Sequence, residues 1–410
     1  METSSIFKLL SVLQDKGIVG ALSSIASFTD EPKFPQWCCT GKQGSNFDGA
    51  GGVSMALSDK HSQIKAIAEA VERHCLLTQS NENMISGMSY ISLESSAVDP
   101  RKFISFELPK AGKTSHFYSH GILQAPLKWV EGTEYKTGRK ILLPAQVVYA
   151  NYDLSEEPLI RFPISTGAAF GTNEVSAKSR GLLEVIERDR FMITWLKEET
   201  PREIKLEGKV FSEIKRYFER YLLEPRVFDI SGDYPSYSTM SILIDRMAGV
   251  GPAISVGLKS AAIERESIIG SLLEAQQVRN WMRFCHIKDT LNKVERPEKI
   301  VDFKSRCSFW YDVEKIPKID FITNTRKNKK LSNEKKDISC LPDNLISQGY
   351  DIYYADITLP YIKERGFHVI KTIVPQMHPL TYDENFPYLN SLSLKMKGGR
   401  AVNKVPHPFL

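Results

Sequence analysis

Residues 181–191, GLLEVIERDRF, place two carboxylates inside a segment that otherwise has the apolar pattern of a buried helix. Glu184 and Glu187 lie three residues apart, so a helix would project both side chains from one face. Their neighbours Leu182, Val185 and Ile186 are apolar, which predicts that the segment is largely buried. Because a buried carboxylate without a partner is costly, this pair requires a cation, which either an arginine or a metal ion supplies.

The same arrangement occurs a second time, nearer the start of the chain. Residues 66–75, AIAEAVERHC, repeat the pattern Glu-x-x-Glu-Arg with Glu69, Glu72 and Arg73. Each copy follows a glycine-rich stretch and lies in a long predicted helix. Two short matches are consistent with a duplicated unit but do not establish one.

The four glutamates have two interpretations. Four converging carboxylates suit a hard divalent cation such as Mg²⁺, which takes oxygen ligands and leaves positions for water and phosphate. The alternative is a solvated helix face with ordinary salt bridges to Arg73 and Arg188. The apolar surroundings of Glu184 and Glu187 favour the first interpretation for that helix.

A third long helix carries SLLEAQQVRNW, residues 271–281. Glu274 and Gln277 share one face of it, and Arg279 lies about 140° around the helix from Glu274. An oxygen ligand, an amide and a guanidinium on one helix are typical of a phosphate and metal site. The alternative is an ordinary amphipathic surface.

The order of predicted elements indicates an α+β fold rather than a doubly wound parallel sheet, because strands and helices do not alternate strictly. Helices are predicted at 1–17, 61–78, 174–197 and 261–284, with strands within 86–150, 226–257 and 350–380. We predict an N-terminal helix and lead-in over 1–43 and one main domain over 44–410. Residues 286–345 are predicted to be a lysine-rich loop region, and the run RKNKKLSNEKK at 326–336 a solvated loop or a contact for an acidic partner.

Several function classes are excluded by missing patterns. The chain of 410 residues has a net charge of +5, without the basic patches and aromatic platforms of nucleic-acid readers. Its six cysteines include no Cys-x-x-Cys pair, and no signal peptide or membrane span is evident, so we predict a soluble cytoplasmic protein. There is no Gly-x-x-x-x-Gly-Lys-Ser/Thr motif, and therefore no P-loop, although glycine-rich turns before helices are able to hold phosphate.

Taken in order, these motifs resemble the YcaO superfamily over about residues 40 to 410. The glycine-rich turn with AIAEAVER resembles the first family signature, and STGAAFGTNEVSAKSRGLLEVIERDRF, residues 165–191, resembles the second and most specific one. LLEAQQVR resembles the third signature. ADITLP, Gly366 and VIKTIVPQMHPLTY resemble the C-terminal strand and turn, and the tail PHPFL is similar to the proline-rich ends of azole-forming members.

The resemblance implies a YcaO-type fold with mixed or antiparallel sheets, packed helices and a non-P-loop ATP site that uses ATP and Mg²⁺. By motif, the metal ligands are Glu69, Glu72, Glu184 and Glu187. The implied nucleotide contacts are Gly51, Gly52, Ser54, Arg73, Thr172, Glu274, Gln277 and Arg279. The implied catalytic residues are Glu184, Glu187, Arg279 and Leu410, the last through a terminal carboxylate near the site.

Two departures from the family pattern bear on these roles. Thr172 stands where the second signature commonly has asparagine, and Ser176 where it has glutamate, so one metal or nucleotide contact is either lost or supplied differently. The tail has Pro406 and Pro408 but ends in Phe409-Leu410 rather than proline.

The function implied by the family is ATP-dependent cyclodehydration: phosphorylation of backbone amides in a precursor peptide lets Cys, Ser or Thr side chains close to thiazoline or oxazoline rings. Thioamide or amidine synthesis and a non-catalytic, nucleotide-binding subunit are the alternatives. The implied partners are the precursor peptide, a leader-binding protein resembling ubiquitin-activating enzymes, and an FMN-dependent dehydrogenase. We expect a homodimer within a larger complex, without nucleic acid or membrane.

Overall fold

The structure is a computed structural model, and it describes most of the chain. The described residues are 3–41, 51–79, 84–104, 121–150, 152–154, 157–247, 251–288, 293, 295, 297–398 and 402–410. Residues 44–50, the start of the first glycine-rich stretch, lie outside them.

The described residues form both helices and strands along the whole chain. The helices are α1 Thr3–Asp15, α2 Asp59–Leu77, α3 Tyr90–Leu93, α4 Ala145–Val148, α5 Glu174–Leu196, α6 Lys209–Glu219, α7 Glu264–Ile287, α8 Phe303–Tyr311, α9 Asp320–Thr323, α10 Leu341–Ser347, α11 Pro360–Lys363 and α12 Leu392–Met396. The strands are β1 Val19–Ser24, β2 Gln36–Gly41, β3 Gly52–Met55, β4 Met84–Met88, β5 Leu127–Glu134, β6 Lys140–Pro144, β7 Ala168–Gly171, β8 Arg202–Ile204, β9 Leu223–Asp229, β10 Tyr237–Asp245, β11 Ile254–Ala261, β12 Asn328–Lys329, β13 Tyr353–Asp356 and β14 His368–Ile373.

The strands form three sheets that are almost entirely antiparallel. The first has the order β1-β2-β3, the second β11-β10-β9-β8-β12, and the third β4-β5-β13-β14-β7 with β6 also paired to β5. Among these pairs only β12 with β8 is parallel. The predicted α+β class with mixed or antiparallel sheets and packed helices is therefore confirmed.

Helix α5 joins two of the sheets. It begins at the cap residue Asn173, whose side chain accepts a hydrogen bond from the Ser176 amide. Its N-terminal half packs on β7 and β14, and its C-terminal half packs on β10 and β11. Phe191 and Trp195, both buried, lie in the core that includes the second sheet. The apolar pattern of residues 181–191 thus comes from a helix that is covered on two sides.

A strand, a turn and a helix occur together three times. Strands β3, β7 and β11 are followed within a few residues by α2, α5 and α7. A glycine precedes a helix glutamate by 17 residues in all three: Gly52 and Glu69, Gly167 and Glu184, Gly257 and Glu274. The third copy was not recognised from the sequence, and this spacing is the signal that identifies it.

Two of these glycines allow a strand to lie directly on a helix backbone. A Cβ atom at Gly52 would lie 2.1 Å from the Ala66 carbonyl oxygen, and one at Gly257 would lie 2.1 Å from the Ser271 carbonyl oxygen. Each of these contacts is three residues before the corresponding glutamate. The close approach fixes the position of that glutamate along the helix relative to the strand.

Residues 3–41 pack against the rest of the described fold. Ile6, Leu9 and Leu13 of α1 are buried in the same core as Ile67 and Val71 of α2. Strand β1 pairs with β2, and β2 pairs with β3, which lies beyond the predicted boundary between residues 43 and 44. That boundary therefore remains a prediction about sequence organisation.

The prediction of a lysine-rich loop region over 286–345 is wrong for much of that segment. It contains α8, α9, β12 and most of α10, and Arg306, Cys307 and Trp310 of α8 are buried. The basic run is not a freely solvated loop either, because Lys329 pairs with Asp229 at 2.9 Å and with Glu264 at 2.6 Å. Lysine content misled the prediction, since lysines in this segment satisfy buried carboxylates.

Two further features of the described residues bear on the sequence predictions. Within the predicted strand region 86–150, strand β6 ends at Pro144, and Ala145–Val148 form a helical turn. No helix in the described part of the chain is long and apolar enough to cross a membrane.

Candidate active site

Five glutamates from three helices form the candidate site, and we call them the glutamate cluster. Each accepts a hydrogen bond from a strand or strand-edge amide through one carboxylate oxygen, Oε2. The pairs are Glu69 with Val53 at 2.9 Å, Glu72 with Phe170 at 3.2 Å, Glu184 with Gly167 at 3.1 Å, Glu187 with Ser260 at 2.5 Å, and Glu274 with Leu258 at 2.5 Å. The backbone therefore fixes the direction of every carboxylate and leaves the other oxygen for a cation.

Arg188 lies between three of these carboxylates. Its guanidinium is 3.5 Å from Oε1 of Glu184, 3.4 Å from Oε1 of Glu187 and 4.0 Å from Oε1 of Glu274. These distances exceed those of good charge-assisted hydrogen bonds, and the buried Nε atom has no hydrogen-bond partner in the described part of the chain. Arg188 offsets the negative charge without saturating the oxygens.

The other half of the glutamate cluster has its own cations. Arg73 pairs with Oε1 of Glu69 at 2.7 Å and donates to the Gly51 carbonyl at 3.1 Å. Lys371 of β14 is buried and lies close enough to Glu184 and Glu72 to interact with both electrostatically. Glu72 and Glu184 lie close enough to repel one another electrostatically, so the two halves of the glutamate cluster are adjacent.

Burial makes the ionised form of these carboxyl groups unfavourable. Desolvation raises the pKa of Glu72 to about 8, with further contributions from Glu184 and Glu69. Desolvation also raises the pKa values of Glu69, Glu187 and Glu274, against the attraction of Arg73 or Arg188. A divalent cation among these side chains would reverse these shifts, because it stabilises the ionised form.

The exposure of the glutamate cluster suits a ligand that enters from one side. The Glu187 side chain is 5% exposed, whereas those of Glu69, Glu184 and Glu274 are 29%, 27% and 32% exposed. Among the described residues, no group of three or more His, Cys, Asp or Glu side chains is already arranged to hold a metal ion. The donor set is nevertheless of the all-oxygen type that Mg²⁺ prefers, so the residues present fit Mg²⁺ together with a phosphate ligand.

The structure brings most of the predicted site residues to this group. Gln277 donates to the Val53 carbonyl at 3.1 Å, which links α7 to the strand that also anchors Glu69. Gly51, Gly52 and Ser54 lie at this strand, and the Ser54 carbonyl accepts from the Ser62 hydroxyl. Thr172 is exposed in the turn between β7 and α5. Ser176, the second departure from the family pattern, donates its hydroxyl to the Asn173 carbonyl within that turn.

The predicted placement of Arg279 is corrected by the structure. Its guanidinium is buried and pairs with Glu31 at 2.9 Å and with Asp245 at 2.8 Å. Arg283 joins the same group through Glu31 at 3.0 Å. Because Arg279 lies about 140° around α7 from Glu274, it faces away from the glutamate cluster. Its ion pair with Glu31 joins the segment before β2 to the helix.

The C-terminal segment reaches the glutamate cluster through Phe409. The Phe409 ring lies 4.2 Å from the guanidinium carbon of Arg188 and is 1% exposed. The Trp310 indole donates to the Pro406 carbonyl at 3.2 Å, and Arg306 donates to the His407 carbonyl at 2.9 Å. Residues 406–409 are therefore part of the core, and Leu410 is half-buried.

Lys371, Lys259 and Lys65 were not recognised from the sequence as neighbours of the glutamates. Lys259 and Lys65 interact electrostatically with Glu274, and Lys371 with Glu184. Each lies on an element whose own pattern is unremarkable, and only the packing of β11, α2 and β14 brings them together. In VIKTIV, residues 369–374, Lys371 shares a strand face with the apolar Val369 and Ile373, and a charge among apolar residues was a usable signal.

Comparison with known proteins decides the family. The profile described as YcaO cyclodehydratase, ATP- and Mg²⁺-binding, matches residues 55–378. This chain belongs to the YcaO family. The resemblance inferred from the motifs is thereby confirmed, and ATP and Mg²⁺ are the cofactors of this YcaO enzyme.

Solved structures share the fold of this YcaO protein at low sequence identity. A heterocyclase in complex with substrate and cofactor superimposes with a TM-score of 0.78 at 16% identity, covering 99% of this chain and 57% of that one. YcaO from Methanopyrus kandleri, bound with AMPPCP and Mg²⁺, gives 0.66 at 15% identity and 93% of both chains. A chain of the E. coli microcin synthetase McbBCD complex gives 0.62 at 16% identity, covering 87% and 88%. This YcaO protein thus spans little more than half of the heterocyclase.

Proposed function

We propose that this YcaO protein is the cyclodehydratase subunit that converts Cys, Ser or Thr residues of a precursor peptide to thiazolines or oxazolines at the expense of ATP. The observation that carries the proposal is the glutamate cluster. Strand amides orient its five helix carboxylates, and the neighbouring cationic side chains do not fully neutralise their negative charge. An acidic site of this kind takes a divalent cation and its phosphate ligand.

In this proposal Glu69, Glu72, Glu184 and Glu187 bind Mg²⁺, and Glu274 belongs with them because its Oε1 also faces Arg188 at 4.0 Å. When bound, Mg²⁺ neutralises phosphate charge and orients the transferred phosphoryl group. Gly51, Gly52, Ser54, Arg73, Thr172 and Gln277 are the proposed nucleotide contacts. Arg279 is left out of the site, since its buried ion pairs occupy it elsewhere.

The proposed reaction uses the peptide's own side chain as nucleophile. The Cys, Ser or Thr side chain attacks the preceding backbone carbonyl, and the resulting oxyanion takes the γ-phosphoryl group of ATP. The attack closes the five-membered ring, and the phosphoryl transfer releases ADP. Phosphate then leaves with the former carbonyl oxygen while the amide nitrogen loses its proton, which forms the C=N bond of the azoline. The protein positions the groups and balances charge, which agrees with the all-acidic cluster and its surrounding arginines and lysines.

The proposed partners follow the solved relatives. One relative is a heterocyclase with bound substrate, and another is a subunit of a three-protein microcin synthetase for which a complex with its pro-peptide is also known. We propose a precursor peptide delivered by a leader-binding protein that resembles ubiquitin-activating enzymes, an FMN-dependent dehydrogenase acting on the azolines, and a homodimer within that complex. None of the six cysteines, all of which are described residues, forms a disulfide, which supports the proposed cytoplasmic location.

Mass spectrometry of a precursor peptide incubated with the protein, its partner, ATP and Mg²⁺ tests the proposed reaction. We expect the loss of one water per ring, and no loss when ATP is replaced by a non-hydrolysable analogue. The Glu174→Gln protein serves as control, because Glu174 lies at the exposed start of α5. A mass gain from sulfur replacing oxygen would assign the protein to thioamide synthesis instead, and an unchanged peptide would contradict a modifying activity.

The raised carboxyl pKa values predict how the stability of the metal-free protein depends on pH. A folded-state pKa of about 8 for Glu72 lies above the ordinary glutamate value, so the folded protein holds a proton that the unfolded chain has lost. Stability therefore falls as the pH rises from 6.5 to 8. Buried His378 stays neutral there, because desolvation lowers its pKa to about 4.

Thermal unfolding in EDTA and in Mg²⁺ checks this prediction. We expect the melting temperature to fall between pH 6.5 and pH 8 in EDTA and to be restored by Mg²⁺, more strongly at pH 8 than at pH 6.5. The Glu72→Gln protein should show a flatter profile in EDTA. An equal Mg²⁺ effect at both pH values would contradict the assignment of the proton to these carboxyls.

A further inference from the structure

A cavity lies next to the glutamate cluster, because Thr166, Val185 and Lys371 line it. Its volume is about 40 Å³, and it opens to solvent. Its polar lining is contributed mainly by Arg161, Lys371 and His378, and apolar side chains of Val147, Phe162 and Met377 form much of the remaining wall. We call this space the Lys371 cavity.

Two cations of the Lys371 cavity have backbone partners only. Lys371 donates to the carbonyls of Ile164 at 2.6 Å and Thr166 at 2.8 Å. Arg161 donates to the carbonyls of Phe103 at 3.2 Å and Pro375 at 3.0 Å. Neither forms an ion pair within 4.0 Å with a carboxylate of the described residues, although both side chains belong to buried residues.

Buried cations are normally paired with anions, and these two are also close enough to repel one another. Desolvation lowers the pKa of Lys371 to about 8, with repulsion from Arg161, against the attraction of Glu184 and Glu72. Desolvation lowers the pKa of Arg161 as well. A negatively charged ligand in the cavity would offset both costs.

We propose that the Lys371 cavity binds a carboxylate group carried on a short apolar chain. Lys371 has three donors and uses two on carbonyls, and Arg161 has five and uses two, which leaves enough for one carboxylate. The apolar wall of Val147, Phe162 and Met377 suits the hydrocarbon next to that group. This site goes beyond the ATP reaction proposed for the glutamate cluster.

A carboxylate fits this cavity better than phosphate does. The carbonyl oxygens of Ile164, Thr166, Phe103 and Pro375 surround the two cations and present negative dipole ends. A doubly charged phosphate would meet these dipoles with only two positive charges nearby. The apolar part of the lining, which includes Val147, Phe162 and Met377, favours an aliphatic flank instead.

The position of the site connects it to the glutamate cluster. The carbonyl of Thr166 accepts from Lys371, and the amide of the next residue, Gly167, donates to Glu184. A ligand that draws Lys371 into the cavity therefore acts on the segment that orients Glu184. The carboxylate belongs either to a peptide substrate or to a free small acid.

Calorimetric titration with isovalerate, without ATP or Mg²⁺, tests the site independently of ATP turnover. We expect saturable binding by the wild-type protein and none of the uncharged amide, 3-methylbutanamide. Lys371→Met should raise the dissociation constant about 10- to 100-fold, since it removes a charged donor. Val147→Phe should also block binding by filling the cavity, whereas Lys60→Met, at an exposed position of α2, should bind as wild type does.

The outcomes separate the carboxylate site from its alternatives. Absence of saturation, equal binding by the Lys371→Met protein, or inorganic phosphate binding at the same site as tightly as isovalerate would each overturn the proposal. Competition by a short peptide with a free C-terminal carboxylate, but not by its C-terminal amide, identifies a peptide chain end as the source. Competition by neither peptide, with isovalerate still bound, identifies a free small acid.

Discussion

Glu187→Gln is expected to lower ATP turnover at least about a hundredfold while leaving the protein folded. Glu187 is the most buried member of the glutamate cluster, and its Oε1 faces Arg188 at 3.4 Å. Changes to residues that merely support metal ligands cost about 10- to 100-fold, so loss of a ligand charge should cost at least as much. The amide oxygen of glutamine still accepts the Ser260 amide hydrogen, and no cavity is created.

The matched control is Glu174→Gln on the same helix. Glu174 is exposed and pairs only with Lys178, at 2.5 Å, and surface pairs of this kind contribute little to stability. ATP hydrolysis is measured as phosphate release, with circular dichroism and thermal unfolding as the check on folding. Turnover within a few-fold of wild type in the Glu187→Gln protein would remove Glu187 from the proposed metal site.

Phe409→Ala is expected to destabilise the protein by about 3–5 kcal/mol, as for other buried phenylalanines. Phe409 is 1% exposed, lies 5.7 Å from the ring of Phe191, and covers the guanidinium of Arg188 at 4.2 Å. The free energy of unfolding is measured by urea titration.

Phe409→Leu separates packing from the contact with Arg188. Leucine fills much of the same volume but has no aromatic face for the guanidinium. We expect it to restore most of the stability lost in Phe409→Ala and to weaken Mg²⁺-dependent ATP hydrolysis. Leu410→Ala, at the half-buried neighbouring position, is the control. Full activity in the Phe409→Leu protein would show that the ring does not position Arg188.

Long helices with a strong pattern were predictable from the sequence. The predicted helices at 61–78, 174–197 and 261–284 correspond to Asp59–Leu77, Glu174–Leu196 and Glu264–Ile287. Their glutamates were recognised because charged residues among apolar ones have few structural explanations. The fold class followed from the order of these elements, since strands clustered rather than alternated with helices.

The features that the sequence did not reveal depend on contacts between distant segments. Arg279 was placed with Glu274 because they share a helix, yet its partners Glu31 and Asp245 lie more than 30 residues away in sequence. The amide that each glutamate accepts from comes from a strand, and strand order is not encoded locally. The arrangement of the three sheets and the positions of the lysines around the glutamates likewise depend on contacts between distant segments.

The central claim, that the glutamate cluster binds the divalent cation and ATP phosphates, is tested most directly by anomalous diffraction. Crystals grown with Mn²⁺ and a non-hydrolysable ATP analogue would locate the metal without assuming its ligands. The account predicts manganese peaks at roughly 2.0–2.3 Å from carboxylate oxygens of the cluster, with Glu184 and Glu187 among them, and phosphates beside them. Manganese and nucleotide bound away from these five glutamates would contradict it.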